Sequence, residues 1–581
     1  MMKLFYAAAL LLAISCNVNV QQQEQQPQQY QELPDPRPVD EATWAAVTPG
    51  SHAGFGSADI RYEKRNAPDP ASLKASWNTR AWKGEKIHTQ FLIYTTDALE
   101  AVSIEKSDLK DDQGNSIPAS AVNTGFVRYV MTDELNKDGS GCGHRKPEDF
   151  DSSLVADAID IIPAINIAAR TTQPVWLSVA VPANTPAGTY KGQVTVMMGE
   201  KKDPAKLAYE ITVGERTLPQ PENWDFHLDL WQSPYAIARV YNVAPWSEEH
   251  FAAMKPYMQM LAKAGQKVIT TSIIYDPWNS QTEDIYGDMV KWTKKKDGSW
   301  NFDYTVFDKW VSFMQDMGVT KQVACYSMIP WNLKFYYFDE AAGRDTFIVA
   351  KPGTPEYDNH WRPMLADFSS HLKEKGWFDI TCIAMDERPM EAMQSAIKLI
   401  RSVDKDLKVS LAGNYHKELV NDIFDYCVAS GQEFTAEERK WRAEKGWPTT
   451  YYTCCTEGFP NTFTFSPPAE SAWLGWHAAA KDYSGYLRWA YNCWVKAPLQ
   501  DSRFRSWAAG DTYLVYPGPR SSIRFERLVE GIQAYEKIRM LKAEGKGAEV
   551  EKILAEFNLD ALKTRKAGEM VTAANDMLNG I

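Results

Sequence analysis

Short runs rich in Val, Ile, Thr and Tyr, each ended by turn residues, dominate the chain from about Pro36 to Pro221. His88–Thr96, Val175–Pro182, Gly192–Met198 and Leu207–Val213 read as strands. The turn Pro186-Ala187-Gly188 feeds a stretch, Gln193-Val194-Thr195-Val196, that alternates with period two. No long helical pattern interrupts this region, which predicts an antiparallel β-sandwich over 36–220, followed by a Pro-containing linker at Thr217–Asn223.

From Trp224 the rhythm changes to strand, helix, strand. Strands are expected at Phe226–Trp231, Val268–Tyr275, Val323–Ile329, Ile380–Met385, Val409–Ala412, Phe424–Ala429, Thr450–Cys454 and Leu487–Tyr491. Helical stretches fall between them: Glu248–Ala264, a face of Val306, Trp310, Phe313 and Met317 capped by Gly318, a face of Leu365, Phe368 and Leu372 closed by Gly376, and Met390–Ile400. Eight strands separated by helical or long segments predict a (β/α)₈ barrel over 221–523. Beyond Arg524, the face Leu528, Ile532 and Tyr535 predicts C-terminal helices over 524–581 packed on the barrel.

The N-terminus carries a different pattern. Lys3 precedes an apolar run, Leu4–Ile14, too short to span a bilayer and suited to the core of a signal peptide. It ends in Ala13-Ile14-Ser15-Cys16, the form of a bacterial lipoprotein processing site. Residues 1–15 are therefore expected to be removed and Cys16 to be lipidated, with the Gln-rich segment 16–35 as a solvated tether. The expected partner on this side is a membrane reached through the lipid anchor alone, and the expected location is the cell envelope.

Composition narrows the chemistry. With 63 basic and 75 acidic residues the net charge is −12, which argues against general nucleic-acid binding. Of eight cysteines, Cys325, Cys382 and Cys427 sit in apolar strands as core fillers, and without Cys16 the remainder is odd, so no complete disulfide framework is implied. Adjacent Cys454 and Cys455 read as separate thiols or as a vicinal disulfide, packed beneath the pocket. No C-x-x-C or H-E-x-x-H spacing supplies a metal site, and no P-loop, G-x-G-x-x-G or G-x-S-x-G is present, so neither metal nor cofactor is expected.

Active sites of such barrels are built at the C-terminal ends of the strands. Asp386-Glu387 follows the buried run Ile380–Met385 and precedes Arg388-Pro389. Asp-Glu also occurs at Asp40-Glu41, Asp133-Glu134 and Asp339-Glu340, so position rather than composition singles out this copy. Two carboxyls leaving a buried strand together have their pKa values pushed apart, which suits glycoside hydrolysis; the bland alternative is a pair of acids capping the next helix. Neighbouring side chains at a strand end diverge, so they suit a scheme in which the substrate's own 2-acetamido oxygen attacks the anomeric carbon. Ionised Asp386 would orient the acetamide N–H and stabilise the oxazolinium-like intermediate, and protonated Glu387 would serve the leaving oxygen.

These motifs carry a resemblance. Met385-Asp386-Glu387-Arg388-Pro389, Tyr451-Tyr452-Thr453-Cys454-Cys455 with Pro460-Asn461-Thr462, Leu487-Arg488-Trp489-Ala490-Tyr491-Asn492, and Tyr516-Pro517-Gly518 followed by Ser522-Ile523-Arg524-Phe525-Glu526 resemble glycoside hydrolase family 123. The resemblance implies a β-sandwich before a (β/α)₈ barrel and a retaining exo-β-N-acetylgalactosaminidase, acting on terminal GalNAc of glycans such as those of glycosphingolipids. It places the catalytic pair on Asp386 and Glu387. Further candidates for sugar contact are Trp489 and Trp494 as a stacking floor, Tyr452 and Tyr415 for the acetamido carbonyl, and Asn414 and Asn492 for hydroxyls. Asp229 is a candidate for a hydroxyl or for a hydrogen bond within a barrel layer. The alternatives are a glycosidase of other sugar specificity, such as β-GlcNAc, and a lipoprotein that binds glycans without cleaving them.

Overall fold

The computed structural model describes residues 30–199 and 203–581, so the signal-peptide and Cys16 expectations lie outside the described residues. Two sheets form the N-terminal sandwich. One runs Ser51–Gly56, Lys86–Thr95, Thr171–Ala180, Val122–Thr132, Ser153–Asp160 in spatial order, all antiparallel. The other is centred on Gly188–Met198 and Ala205–Thr217, with Ser76–Lys83 joining its edge in parallel. Between the sheets Phe91, Ile93, Val175, Leu177, Tyr190, Val194 and Ile211 form a dry core, as the period-two pattern requires.

The second body is a barrel of eight parallel strands: β1 His227–Leu230, β2 Val268–Ser272, β3 Gln322–Tyr326, β4 Thr381–Met385, β5 Lys408–Gly413, β6 Asp425–Ala429, β7 Thr449–Tyr452 and β8 Gly485–Arg488. Closure between β1 and β2 is slight, through a bridge of Leu228 to Gln266 and a Lys267 N–H donated to the Leu228 carbonyl. Burial follows the barrel rule. Val268, Ala324, Ala384, Ala412, Cys427 and Leu487 face inward, while Ile269, Val323, Ile383, Met385, Val409 and Val428 pack against the surrounding helices. A polar layer lies deeper, where Asp425 accepts from Gln322 at 2.7 Å and pairs with His227 at 3.2 Å. Asp229, two residues further along β1, lies above this layer and accepts from Trp231 at 3.3 Å. Burial pushes its carboxyl up to about 7, with Asp425 adding to the rise.

Three features depart from the expected pattern. Two insertions after β2 and β3 build a separate four-stranded sheet from Lys291–Lys294, Trp300–Asp303, Lys334–Asp339 and Arg344–Val349. Helix Pro468–Ala480, between β7 and β8, is buried almost all round. It is crossed by the C-terminal helix Ile523–Ala543, and the contact is so close that a methyl on Gly475 would lie 2.2 Å from the Gly531 carbonyl oxygen. The C-terminal segment thus closes the helical ring. Third, Cys455 is bonded to Cys142, 313 residues earlier in a sandwich loop, and Cys454 remains a free thiol. This corrects the expectation for the adjacent cysteines: backbone pairing of Gly141 with Cys455 and Ala508 brings the sandwich loop to the exit of β7.

Candidate active site

At the end of β4 the inward series continues from Ala384 to Asp386, so the strand's own alternation aims Asp386 into the barrel mouth. Asp386 is 7% exposed. The Trp331 indole N–H, from the end of β3, donates to its Oδ2 at 2.8 Å. The Arg388 guanidinium lies 3.1 Å from Oδ1 as an ion pair and stacks 3.6 Å from the centre of the Trp331 ring. Burial pushes the Asp386 carboxyl up to about 6; Arg388 and the Trp331 hydrogen bond oppose the rise, and Glu387 adds to it. At neutral pH the group is therefore mostly ionised, and its oxygens are held in one orientation.

Glu387, the next residue, is exposed on the mouth and accepts a hydrogen bond from the Tyr452 hydroxyl at the end of β7. Tyr452 is buried, and burial, reinforced by Glu387, keeps its phenol protonated and hence a donor. The two acids leave one strand yet take partners on different sides, β3 for Asp386 and β7 for Glu387. Aromatic residues complete the mouth. Trp231 packs 5.3 Å from Trp278 and 4.6 Å from Tyr326, and Trp489 donates to Asp511 at 3.2 Å. A cleft bounded by Trp231, Asp276, Trp278 and Trp489 opens past the ends of β1 and β8, and neither acid lines it.

The other sequence candidates separate into rim and core. Asn414 is exposed at the end of β5, with its amide oxygen accepting from Gln432 at 2.7 Å. Tyr415 turns its hydroxyl outward to Glu438 at 3.0 Å, so it does not share the mouth with the acids. Asn492 is fully buried and forms a two-bond clasp with the backbone of Ser233, at 2.9 Å each way, joining the exits of β8 and β1. Trp494 is also fully buried, its N–H donated to the Val515 carbonyl at 2.7 Å. These two are core residues rather than sugar contacts, because the chain after Trp489 turns back under the mouth. Conversely, Trp331 and Arg388 were not singled out for the site. Their only sequence signal is placement, Trp331 just past β3 and Arg388 two residues after Asp386.

Among the described residues no group of three or more His, Cys, Asp or Glu is placed to hold a metal ion. A parallel barrel with acids and tryptophans at its C-terminal mouth has the architecture of a glycosidase. The sequence profile of the glycoside hydrolase 123 catalytic domain matches residues 231–541, and that of the glycoside hydrolase 123 N-terminal domain matches 55–198. The chain belongs to glycoside hydrolase family 123. A solved structure of a family 123 glycoside hydrolase from Clostridium perfringens, described for glycolipid glycan hydrolysis, is 26% identical and superposes with a TM-score of 0.83 over 91% of this chain and 97% of that one. A β-glucuronidase from Parabacteroides merdae, 8% identical, covers 78% of this chain and 50% of its own at a TM-score of 0.29. No curated protein matches in sequence.

Proposed function

We propose that this glycoside hydrolase is a retaining exo-β-N-acetylgalactosaminidase that removes terminal β-GalNAc from glycans such as glycosphingolipid oligosaccharides. The observation that carries the reading is the division between consecutive acids at one strand end, Asp386 buried and oriented by Trp331 and Arg388, Glu387 exposed beside Tyr452. The description of the Clostridium perfringens relative, which concerns glycolipid glycans, supports the substrate class.

In this mechanism the substrate's acetamido oxygen attacks the anomeric carbon as the bond to the leaving oxygen breaks. Ionised Asp386 accepts a hydrogen bond from the acetamide N–H and stabilises the positive charge that spreads over the ring being formed. Glu387 gives its proton to the leaving oxygen, then takes one from the water that opens the oxazolinium ring. Two inversions at one carbon give net retention, with no glycosyl–enzyme bond. Trp489 offers an apolar face at the mouth for the sugar.

The test is turnover of aryl β-GalNAc, β-GlcNAc and β-Gal by the parent, Asp386→Asn and Glu387→Gln. Preferential cleavage of the GalNAc glycoside, a loss of several orders of magnitude in either variant, and inhibition by a GalNAc-thiazoline are expected. Turnover of none of the three would favour a glycan-binding protein, and full activity in both variants would remove the assigned pair. We also propose acylation at Cys16 and display on the cell envelope, which labelled-palmitate incorporation into the parent and its loss in Cys16→Ser would test.

A further inference from the structure

The four-stranded sheet beside the mouth breaks the usual rule that one face is apolar and the other polar. Its inner face packs on helix Pro355–Lys375, with Trp292 stacked 4.7 Å from His360 and Phe335 5.6 Å from Trp361. On the outer face polar residues are expected. Strand Lys334–Asp339 instead places Tyr336 and Phe338 there, and its partner Arg344–Val349 places Phe347 and Val349 beside them. Tyr336 lies directly opposite Phe347 and Lys334 opposite Val349. Exposure is 39% for Phe338, 45% for Phe347 and 61% for Val349. Among the described residues nine large apolar side chains are exposed, and four of them, these three and Trp331, fall within 331–349, so the patch is concentrated rather than scattered.

The patch is continuous with the site. Trp331, which donates to Asp386, is three residues from the start of the hairpin and is itself 42% exposed. On its other flank Tyr336 packs 5.2 Å from Tyr275, next to Asp276 of the cleft. The face carries charge of both signs as well as rings: Lys334 places its ammonium 5.0 Å from the Phe347 ring centre, exposed Lys291 lies on the same side of the neighbouring strand, and the exposed acids Asp345 and Asp303 stand opposite Phe338 and Lys291.

We propose that this outer face rests on the lipid surface from which a membrane glycolipid projects its glycan, so that the hairpin holds the enzyme at the bilayer while the terminal sugar enters the mouth. Rings with lysines whose stems lie along apolar neighbours match the headgroup boundary, where the rings enter and the ammonium groups stay at the phosphates. Phe338, Phe347 and Val349 have no hydrogen-bonding side-chain group, so these three exposed positions offer none of the donors and acceptors that orient a sugar ring. The proposal rests on the glycolipid reading above for its substrate and on the hairpin alone for its lipid contact.

The test uses the full chain carrying Cys16→Ser, which removes any acyl anchor, with and without Phe338→Ser/Phe347→Ser/Val349→Ser. Two readouts are needed: co-sedimentation with phosphatidylcholine vesicles, and hydrolysis of a GalNAc-terminated glycolipid in those vesicles against its free oligosaccharide. The triple variant is expected to lose about ten-fold in vesicle partitioning and in kcat/KM on the vesicle substrate, with the free oligosaccharide and aryl glycoside unchanged. Unchanged partitioning overturns the proposal, and so does a parallel loss on the free oligosaccharide, which would assign the face to sugar. Should the parent cleave no β-GalNAc substrate, the catalytic reading fails while vesicle partitioning still decides the hairpin. The single change Val349→Ser, at the most exposed position, provides a second variant if the triple one melts early.

Discussion

Tyr452 at the end of β7 donates its hydroxyl to Glu387 at the end of β4, a bond that spans the mouth past β5 and β6. The acid assigned to the leaving group is thus held by a buried phenol whose own ionisation is suppressed. Replacing Tyr452 by Phe keeps the ring and deletes the bond. The expected outcome is a fall in kcat of about 10²-fold with an unchanged melting temperature, read by steady-state kinetics and thermal unfolding. Wild-type kcat in Tyr452→Phe would show that the bond has no part in catalysis.

Asp386 governs a second outcome, the acid limb of the pH profile. Because burial places its pKa at about 6, kcat/KM should rise with pH through about 6 as the carboxylate forms. Arg388 lowers that pKa, so Arg388→Met should move the limb to higher pH, and Trp331→Phe should move it the same way by removing a donor. A limb that stays in place in both variants would mean that another group controls it.

The same carboxyl is expected to cost stability. Its folded pKa is raised, so the folded state binds the proton more tightly than the unfolded chain, and stability declines as pH rises from about 4 to about 6, then stays lower. Asp386→Asn, inactive by the proposed mechanism, should therefore melt a few degrees above the parent at pH 8, with the difference shrinking below about pH 6 and gone only near pH 4 and below. Calorimetry across this pH range checks this. A variant that melts below the parent at pH 8 would show that the pairing with Arg388 outweighs the burial cost.

The Cys142–Cys455 bond joins the sandwich loop to the β7 exit, three residues after Tyr452. Cys142→Ser is expected to destabilise by about 2–5 kcal/mol and to lower kcat through the loosened Tyr452, whereas Cys454→Ser, which touches a free thiol, should change the melting temperature little. Differential scanning calorimetry under non-reducing conditions distinguishes the two.

The helix crossing offers a purely structural check. With no room between Gly475 and the Gly531 backbone, Gly475→Ala should destabilise by about 3 kcal/mol or prevent folding, while Gly545→Ala, whose added methyl meets nothing within 4 Å but sits at φ +84°, should cost only about 1 kcal/mol. Comparable melting temperatures for the two variants would contradict the close approach.

What the sequence by itself determined is what depends on local period. Alternation marked the sandwich strands, buried runs marked the eight barrel strands, and a strand's end marked Asp386-Glu387, because strand geometry is set by neighbours one or two residues away. What the tertiary structure decided is who meets whom across a distance. Trp331 reaches Asp386, Tyr452 reaches Glu387, and Cys142 reaches Cys455 only because the closed barrel and docked sandwich bring those segments together. Beyond a strand's end period two no longer applies, so Asn492 and Trp494 could be placed in the core only once the return of the chain beneath the mouth was known. The added hairpin sheet was missed for a related reason. In the hairpin Lys334–Asp339 and Arg344–Val349, apolar residues on both faces erase the alternation from which a half-buried strand is recognised, and the other two strands, Lys291–Lys294 and Trp300–Asp303, are too short for alternation to stand out.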